Sequence, residues 1–277
     1  MQRPRLNQRS KIWNFVNVQA THTQDPLLKW SKRDVYDASE WAIGRSIQEF
    51  YSAPTRYAFT ELYYEGDHQI KAALELMQVF DFASYSHIGE IGGVPFRQLI
   101  TILNSNPHLN FLATDFDLKS LTIFSNELSK FKNLESINNN EKSKIIEFAR
   151  ISQQGKFEHF DLIRSDLDLF VNCDIVMMWG VDYALEDSEL RKLFSFIKAN
   201  NSTLIVGTII PMSFAVFLLE KLKRNDFLRK LFGKNKIKLR LHGYFRSIRY
   251  FKELAGEYDL NSTTLLVDDW YAVLEFK

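Results

Sequence analysis

The chain has 277 residues, of which 45% are hydrophobic and 14% aromatic, and this is enough to pack one α/β domain with an appended element. Its formal net charge of +1 means that the molecule as a whole is not tuned to bind polyanions. The single cysteine, Cys173, excludes an internal disulfide and a cysteine-rich zinc site, and its apolar surroundings predict a buried side chain.

Residues 1–80 are predicted to form an N-terminal arm and a helical cap, and residues 81–277 to form the main domain. The first residues contain no apolar signal-peptide core, which together with the lone thiol predicts a cytoplasmic protein. Helical spacing of apolar residues predicts a helix over about 67–80. An aromatic cluster before it, which includes Tyr63 and Tyr64, is predicted either to wall a substrate pocket or only to pin the helices to the sheet.

The stretch from Tyr85 to Phe96 is predicted to be a strand, a glycine turn and the start of a helix. The apolar period changes from that of a strand to that of a helix across Gly92 and Gly93. A second strand follows and ends at Asp115. This order is typical of a βαβ unit, in which paired glycines let a ligand approach the backbone closely.

Acidic side chains mark the ends of these two strands. Asp115 is placed to accept hydrogen bonds from both hydroxyls of a ribose, and Glu90 adds a second carboxylate just before the turn. No phosphate loop of the form G-x-x-x-x-G-K-[ST] occurs, and Val94 and Arg97 stand where a dinucleotide motif has its later glycines. The pattern therefore predicts a nucleoside ligand that carries positive charge.

The segment Glu90-Ile91-Gly92-Gly93 resembles the first motif of the Rossmann-fold S-adenosylmethionine-dependent methyltransferases, and most of all the bacterial O-methyltransferases of small molecules and sugars. Val94 and Phe96 replace the later glycines of that motif. The resemblance covers about residues 80–277 and implies an α/β fold with a doubly wound, mainly parallel Rossmann-like sheet and a terminal antiparallel hairpin. It also implies that S-adenosylmethionine is the cofactor and is held by Glu90, Gly92, Gly93, Asp115, Phe116, Asp166 and Leu167, with Asp166 at the adenine amine.

The other elements are predicted from apolar periodicity and turn residues. They are helices over about 118–131, 188–199, 212–231 and 248–254, the last ended by Gly256, and strands over 157–163, 173–179, 203–210, 262–267 and 270–276. The uncharged stretch 202–219 is interrupted by Gly207 and Pro211. It is therefore predicted to be a strand followed by a helix and not a membrane span.

Candidate catalytic residues come from two places in the chain. Asp182 follows the fourth strand, on the edge where open α/β sheets bind ligands, and is predicted to be a general base, with Tyr183 as a substrate contact. His242 and Arg246 lie in the region before the final hairpin, where the resemblance implies substrate contacts. His242 is the competing base, because an unperturbed histidine has a pKa of about 6.5. For each residue, the alternative is a plain turn or loop position.

The predicted activity is methyl transfer to a hydroxyl of a small molecule or sugar, without a metal ion. The N-P-P-Y signature of many enzymes that methylate amino groups of bases is absent. Two alternatives remain: a Rossmann-like binding or scaffold protein with a degenerate cofactor loop, and an RNA methyltransferase that uses the basic run 221–240. That run could equally contact an anionic substrate or a membrane surface, or be a solvated face. The near-neutral total charge disfavours nucleic acid, and the sequence predicts no oligomeric state.

Overall fold

The computed structural model describes residues 68–94, 96–116, 118, 121–122, 124–125, 151, 154–162, 165–182, 185, 187–209, 246–267 and 271–277. Four α-helices are defined in this part of the chain, α1 (His68–Val79), α2 (Arg97–Ser105), α3 (Asp187–Asn200) and α4 (Ile248–Glu257), with 3₁₀ turns at Phe82–Ser84 and Leu167–Phe170. The strands are β1 (His87–Ile91), β2 (Asn110–Asp115), β3 (Gly155–His159), β4 (Ile175–Trp179), β5 (Thr203–Ile209), β6 (Ser262–Val267) and β7 (Tyr271–Phe276).

The seven strands of the described residues form one sheet in the order β3-β2-β1-β4-β5-β7-β6. β1 pairs in parallel with both β2 and β4, and β2 pairs in parallel with β3. β6 and β7 form an antiparallel hairpin with an irregularity between Thr264 and Leu266. The predicted fold class is therefore confirmed.

The burial of β1 and β2 determines the environment of their acidic residues, Glu90 and Asp115. β4 is buried along its whole length, as expected for a parallel strand with both faces covered. β1 and β2 are exposed only at their first residues, His87 and Asn110. Glu90 and Asp115 therefore lie in the buried carboxyl-terminal parts of β1 and β2.

Within the described residues, the chain divides into two compact units, one of residues 68–179 with 200–205 and the other of residues 180–199 with those from 206 onward. In the first unit, the Asp174 carboxylate accepts the main-chain N–H groups of Ser86 and His87 at 2.8 and 2.9 Å, which fixes the start of β1. Cys173 is buried, as predicted. Burial, followed by the nearby charge of Asp174, raises the pKa of this thiol to about 12, so it is a packing residue.

The second unit is organised around β7. Phe194 of α3 and Phe251 of α4 pack on Phe276, with ring centroids 5.0 and 6.5 Å away. The Lys198 ammonium donates to the carbonyl of Asp259 at 2.9 Å, just beyond the end of α4. The final hairpin and the two helices therefore share one aromatic core.

Two predicted elements are corrected by the structure. The third strand covers Gly155–His159 and not 157–163, because after the Phe160 N–H donates to Asp115 the chain turns, with Ser165 bonded back to Asp161. The apolar residues that were predicted to form the end of the strand instead belong to this turn. Gly256 does not end α4, which continues to Glu257, and a Cβ at Gly256 would meet nothing within 4 Å.

Several predictions fall on residues that the structure does not describe. These are the N-terminal arm, the helices before residue 68, most of the helix at 118–131, the helix at 212–231 and the basic run 221–240. The division of the chain at residue 80 stays a prediction. Among the described residues, no helix has the length and apolar character needed to cross a membrane.

Candidate functional site at the glycine turn

The turn after β1 depends on its two glycines. Gly92 and Gly93 have φ angles of 71° and 102°, a region that L side chains rarely adopt. A Cβ built on Gly93 would lie 3.3 Å from Oε1 of Glu90. The turn therefore passes close over the carboxylate that precedes it, and a side chain at Gly93 would both strain the backbone and press on that carboxylate.

Glu90 is completely buried, and its two carboxylate oxygens have no hydrogen-bond partner among the described residues. Burial, and secondly the charge of Asp115, raise the pKa of Glu90 well above its usual value. An ionised carboxylate in such a place is costly unless a cation or a hydrogen-bond donor pairs with it. This position is therefore suited to a ligand that carries positive charge.

Asp115, the last residue of β2, also forms hydrogen bonds with the glycine turn. Its Oδ2 accepts the N–H groups of Gly93 and Val94 at 3.1 and 3.2 Å, and the side chain is 7% exposed. The N–H groups that would cradle a phosphate in a nucleotide-binding loop are thus bonded to a carboxylate. Together with the Glu90 carboxylate, this arrangement disfavours a phosphate group at the turn.

Phe96 is a feature of the turn that the sequence did not foresee. It has a left-handed φ of 56°, although it is neither glycine nor asparagine, and it is fully buried. Its ring lies 5.3 Å from that of Phe124 and 5.7 Å from that of Phe157. The turn therefore has aromatic packing where the methyltransferase motif has a flexible glycine.

The other predicted cofactor residues lie in the same unit as Glu90. Phe116 follows Asp115 and is 36% exposed, and its carbonyl oxygen is 2.9 Å from Nε2 of His159. Asp166 is exposed at the start of the 3₁₀ turn, whereas Leu167 is buried within it. Their contacts with a cofactor stay predictions.

A second cluster of polar side chains lies in the other unit. Asp182 and Arg246 are 2% and 1% exposed, respectively, and the guanidinium donates to the main-chain carbonyl of Asp182 at 2.5 Å. Thr208, at the end of β5, donates its hydroxyl to Oδ2 of Asp182 at 2.8 Å. The structure thus brings together two of the predicted catalytic or substrate residues, whereas Tyr63, Tyr64, Tyr183 and His242 lie outside the described residues.

The sequence matches no family model and no curated protein. The structure is similar to the mitomycin 7-O-methyltransferase MmcR, with 15% identity and a TM-score of 0.52 over 85% of this chain and 62% of that one. It is also similar to the pyocyanin biosynthetic protein PhzM, with 13% identity and a TM-score of 0.53 over 85% of this chain and 63% of that one. A third similar structure is N,N-8-amino-8-demethyl-D-riboflavin dimethyltransferase (RosA) from Streptomyces davawensis, with 14% identity and a TM-score of 0.51 over 87% of this chain and 61% of that one.

These likenesses define the class of fold. The described residues have a Rossmann-like α/β fold similar to that of these three proteins, with the sheet ending in an antiparallel pair. The chain spans between 61% and 63% of the length of the three proteins.

Proposed function

We propose that this protein transfers a methyl group from S-adenosylmethionine to a hydroxyl of a small molecule or sugar. The observation that carries the proposal is the buried Glu90 carboxylate, which has no partner among the described residues and lies directly below the glycine turn. S-adenosylmethionine is a nucleoside with an ammonium and a sulfonium group and no phosphate. Its positive charge would pair with the Glu90 carboxylate, which lacks a partner among the described residues.

The charge and the hydrogen-bonding groups of the residues at the turn suit this cofactor. Glu90 would hold a cationic group, and Asp115 would accept from the ribose hydroxyls while keeping the turn in place. When bound, the cofactor would supply an electrophilic methyl carbon to the acceptor oxygen, and its sulfur would keep the electron pair of the carbon–sulfur bond. The protein's contribution would be alignment, which can supply about 7–11 kcal/mol of the barrier, and a base for the hydroxyl proton.

The nature of the acceptor is supported by the segment after β4. That segment is Trp179-Gly180-Val181-Asp182, which places a carboxylate and no N-P-P-Y signature on the edge where ligands bind. MmcR is named for O-methylation and RosA for dimethylation of an amino compound, so the fold is compatible with either acceptor. A carboxylate able to take a proton from a hydroxyl favours oxygen.

S-adenosylhomocysteine is expected to bind and NAD is not, because the carboxylates of Glu90 and Asp115 oppose a pyrophosphate. Titration calorimetry on the full chain with each compound measures this directly. A ligand at about a hundred times its Kd should also stabilise the fold by about 2.7 kcal/mol, which a thermal shift detects. Binding of neither compound would favour the scaffold alternative, and binding of NAD alone would contradict the proposal.

Replacing Glu90 by glutamine is expected to weaken S-adenosylhomocysteine binding by roughly tenfold to a hundredfold, because a charged hydrogen bond contributes about 1.5–3 kcal/mol. The same change should stabilise the unliganded protein at neutral pH, since it removes a carboxyl group whose ionisation is disfavoured by burial. Because the pKa of Glu90 is raised on folding, its carboxyl stabilises the fold fully below the unfolded value of about 4.3, and this contribution is lost as pH rises through the folded value.

Melting temperatures of the two proteins between pH 4 and pH 8 measure this effect. The gap between Glu90→Gln and wild type should widen as pH rises. Glu253→Gln, at an exposed position in α4, is the matched control and should leave both affinity and the pH profile unchanged. A Glu90→Gln protein that binds S-adenosylhomocysteine as tightly as wild type would remove Glu90 from the cofactor site.

A further inference from the structure

Arg246 is a buried cation that donates hydrogen bonds to three residues between the end of β4 and the start of α3. Its Nη1 donates to the carbonyl of Asp182, and its Nη2 donates to the carbonyl of Leu185 at 2.6 Å and to Oδ1 of Asp187 at 2.9 Å. A planar guanidinium can satisfy several acceptors at fixed angles, which a lysine cannot do. Arg246 therefore ties Asp182, Leu185 and Asp187 to one another.

The Asp182 side chain is fixed from a different element. The Thr208 hydroxyl donates to Asp182 Oδ2, and both side chains are at most 2% exposed. The main chain of Asp182 is thus held by Arg246 and its carboxylate by Thr208. Ser247, next to Arg246, accepts the Tyr250 N–H at 3.0 Å and begins α4, so Arg246 is itself anchored to a helix.

We propose that Thr208 and Arg246 are positioning residues that hold the Asp182 carboxylate in the orientation needed to take the proton of the acceptor hydroxyl. This inference rests on the proposed function. In the step, the hydroxyl proton moves to the Asp182 carboxylate as the acceptor oxygen bonds to the methyl carbon. A base contributes only when it is held within hydrogen-bond reach of that proton, so an orienting donor on its second oxygen has a direct effect on rate.

Three ionisable side chains lie in contact with one another beside the main chain of Asp182, namely Arg246, Asp187 and Tyr250. The guanidinium of Arg246 contacts the main-chain carbonyl of Asp182, and the Asp187 carboxylate pairs with the far side of that guanidinium. Tyr250 lies with its ring 5.3 Å from the guanidinium carbon, and burial raises its pKa to about 12, so it is neutral near pH 7. Donation by Thr208 fixes the direction in which the Asp182 carboxylate points, and removal of the hydroxyl should leave that carboxylate free to turn.

The test compares Thr208→Val, which keeps the shape and loses the hydroxyl, with Thr208→Ser, which keeps the hydroxyl. Carboxyl carbon NMR of aspartate-labelled protein, with Asp182 assigned from the Asp182→Asn spectrum, should show a displaced Asp182 resonance in the valine variant and an unchanged one in the serine variant. Methyl transfer to a panel of phenols and sugars should show kcat about tenfold lower for valine and within about threefold for serine. S-adenosylhomocysteine affinity should stay constant in both.

Arg246→Lys is a second variant, and Arg249→Gln, at an exposed residue of the same helix, is its control. The lysine variant should lower kcat by tenfold or more with unchanged S-adenosylhomocysteine affinity. If the lysine variant does not fold, the two Thr208 variants alone test the inference. An unchanged Asp182 carboxyl resonance in Thr208→Val, or equal losses of kcat in the valine and serine variants, would overturn the inference while leaving cofactor binding intact. Failure of wild type to bind S-adenosylhomocysteine would overturn the proposed function and this inference together.

Discussion

Alanine in place of the residue that removes the acceptor proton is expected to lower kcat by about 10²-fold, with little change in S-adenosylhomocysteine affinity. A general base contributes roughly 10²–10⁴-fold, and a loss confined to turnover is the signature of an interaction made mainly in the transition state. Asp182 and His242 compete for this role. The hydrogen bond from Thr208 and the burial of Asp182 favour Asp182, although an unperturbed histidine is the stronger base at neutral pH.

The two alanine variants and a matched Asp182→Asn variant separate these candidates. Asparagine keeps the size of aspartate and can still accept from Thr208, but it cannot take the proton, so it should lose as much turnover as alanine. Turnover is measured with the phenol or sugar that wild type methylates fastest. If both alanine variants stay within about threefold of wild type, catalysis rests on positioning alone. If wild type binds S-adenosylhomocysteine but methylates no phenol or sugar, the hydroxyl acceptor is contradicted.

The parts of the fold that the sequence predicts well are those with an uninterrupted apolar period. β1, β2 and β4 are continuous or nearly continuous buried runs bounded by turn residues, and the observed strands lie within a few residues of the predicted ones. β6 was predicted at its observed bounds. β1, β2 and β4 are specified locally, because burial on both faces leaves no other period that fits.

The bounds of the third strand were predicted wrongly because its burial pattern depends on its position in the sheet. β3 pairs only with β2 in the described sheet and has no fully buried residue, so its own sequence carries no clear alternation. The stronger apolar signal comes from Phe160 and Leu162, which are buried in the following turn. Similarly, the helix α4 continues through Gly256, because the buried Phe251, Leu254 and Ala255 on its packed face outweigh the low helix propensity of one glycine.

The sequence predicts which residue types form the candidate site, but it does not predict their burial or their hydrogen-bond partners. Glu90 and Asp115 are marked in sequence by their places at strand ends. Nothing local, however, indicates that Asp115 bonds the turn or that Glu90 is left without a partner among the described residues. Arg246 was predicted as a substrate contact, and that role stays untested. The acceptors that bury its guanidinium lie 59 to 64 positions earlier in the chain, beyond the reach of any local pattern.

Phe96 provides the sharpest test of how this turn differs from the glycine-rich motif it resembles. Two effects oppose each other at this residue. Its left-handed φ of 56° costs on the order of 1 kcal/mol relative to glycine, whereas removing a fully buried phenylalanine ring costs roughly 3–5 kcal/mol. Since the packing effect is larger, Phe96→Gly should destabilise the protein by about 2–4 kcal/mol even though it restores the glycine of the motif.

Phe96→Ala is the matched control, because it loses the same ring but keeps a Cβ at the left-handed position. Denaturant unfolding of the three proteins should therefore rank wild type above glycine, and glycine above alanine by about 1 kcal/mol. A glycine variant as stable as wild type would mean that the contacts of Phe96 with Phe124 and Phe157 contribute nothing net. An alanine variant as stable as the glycine one would mean that the backbone at residue 96 relaxes out of the left-handed region once the ring is gone, so that the aromatic packing, and not the chain around it, holds the turn in its observed shape.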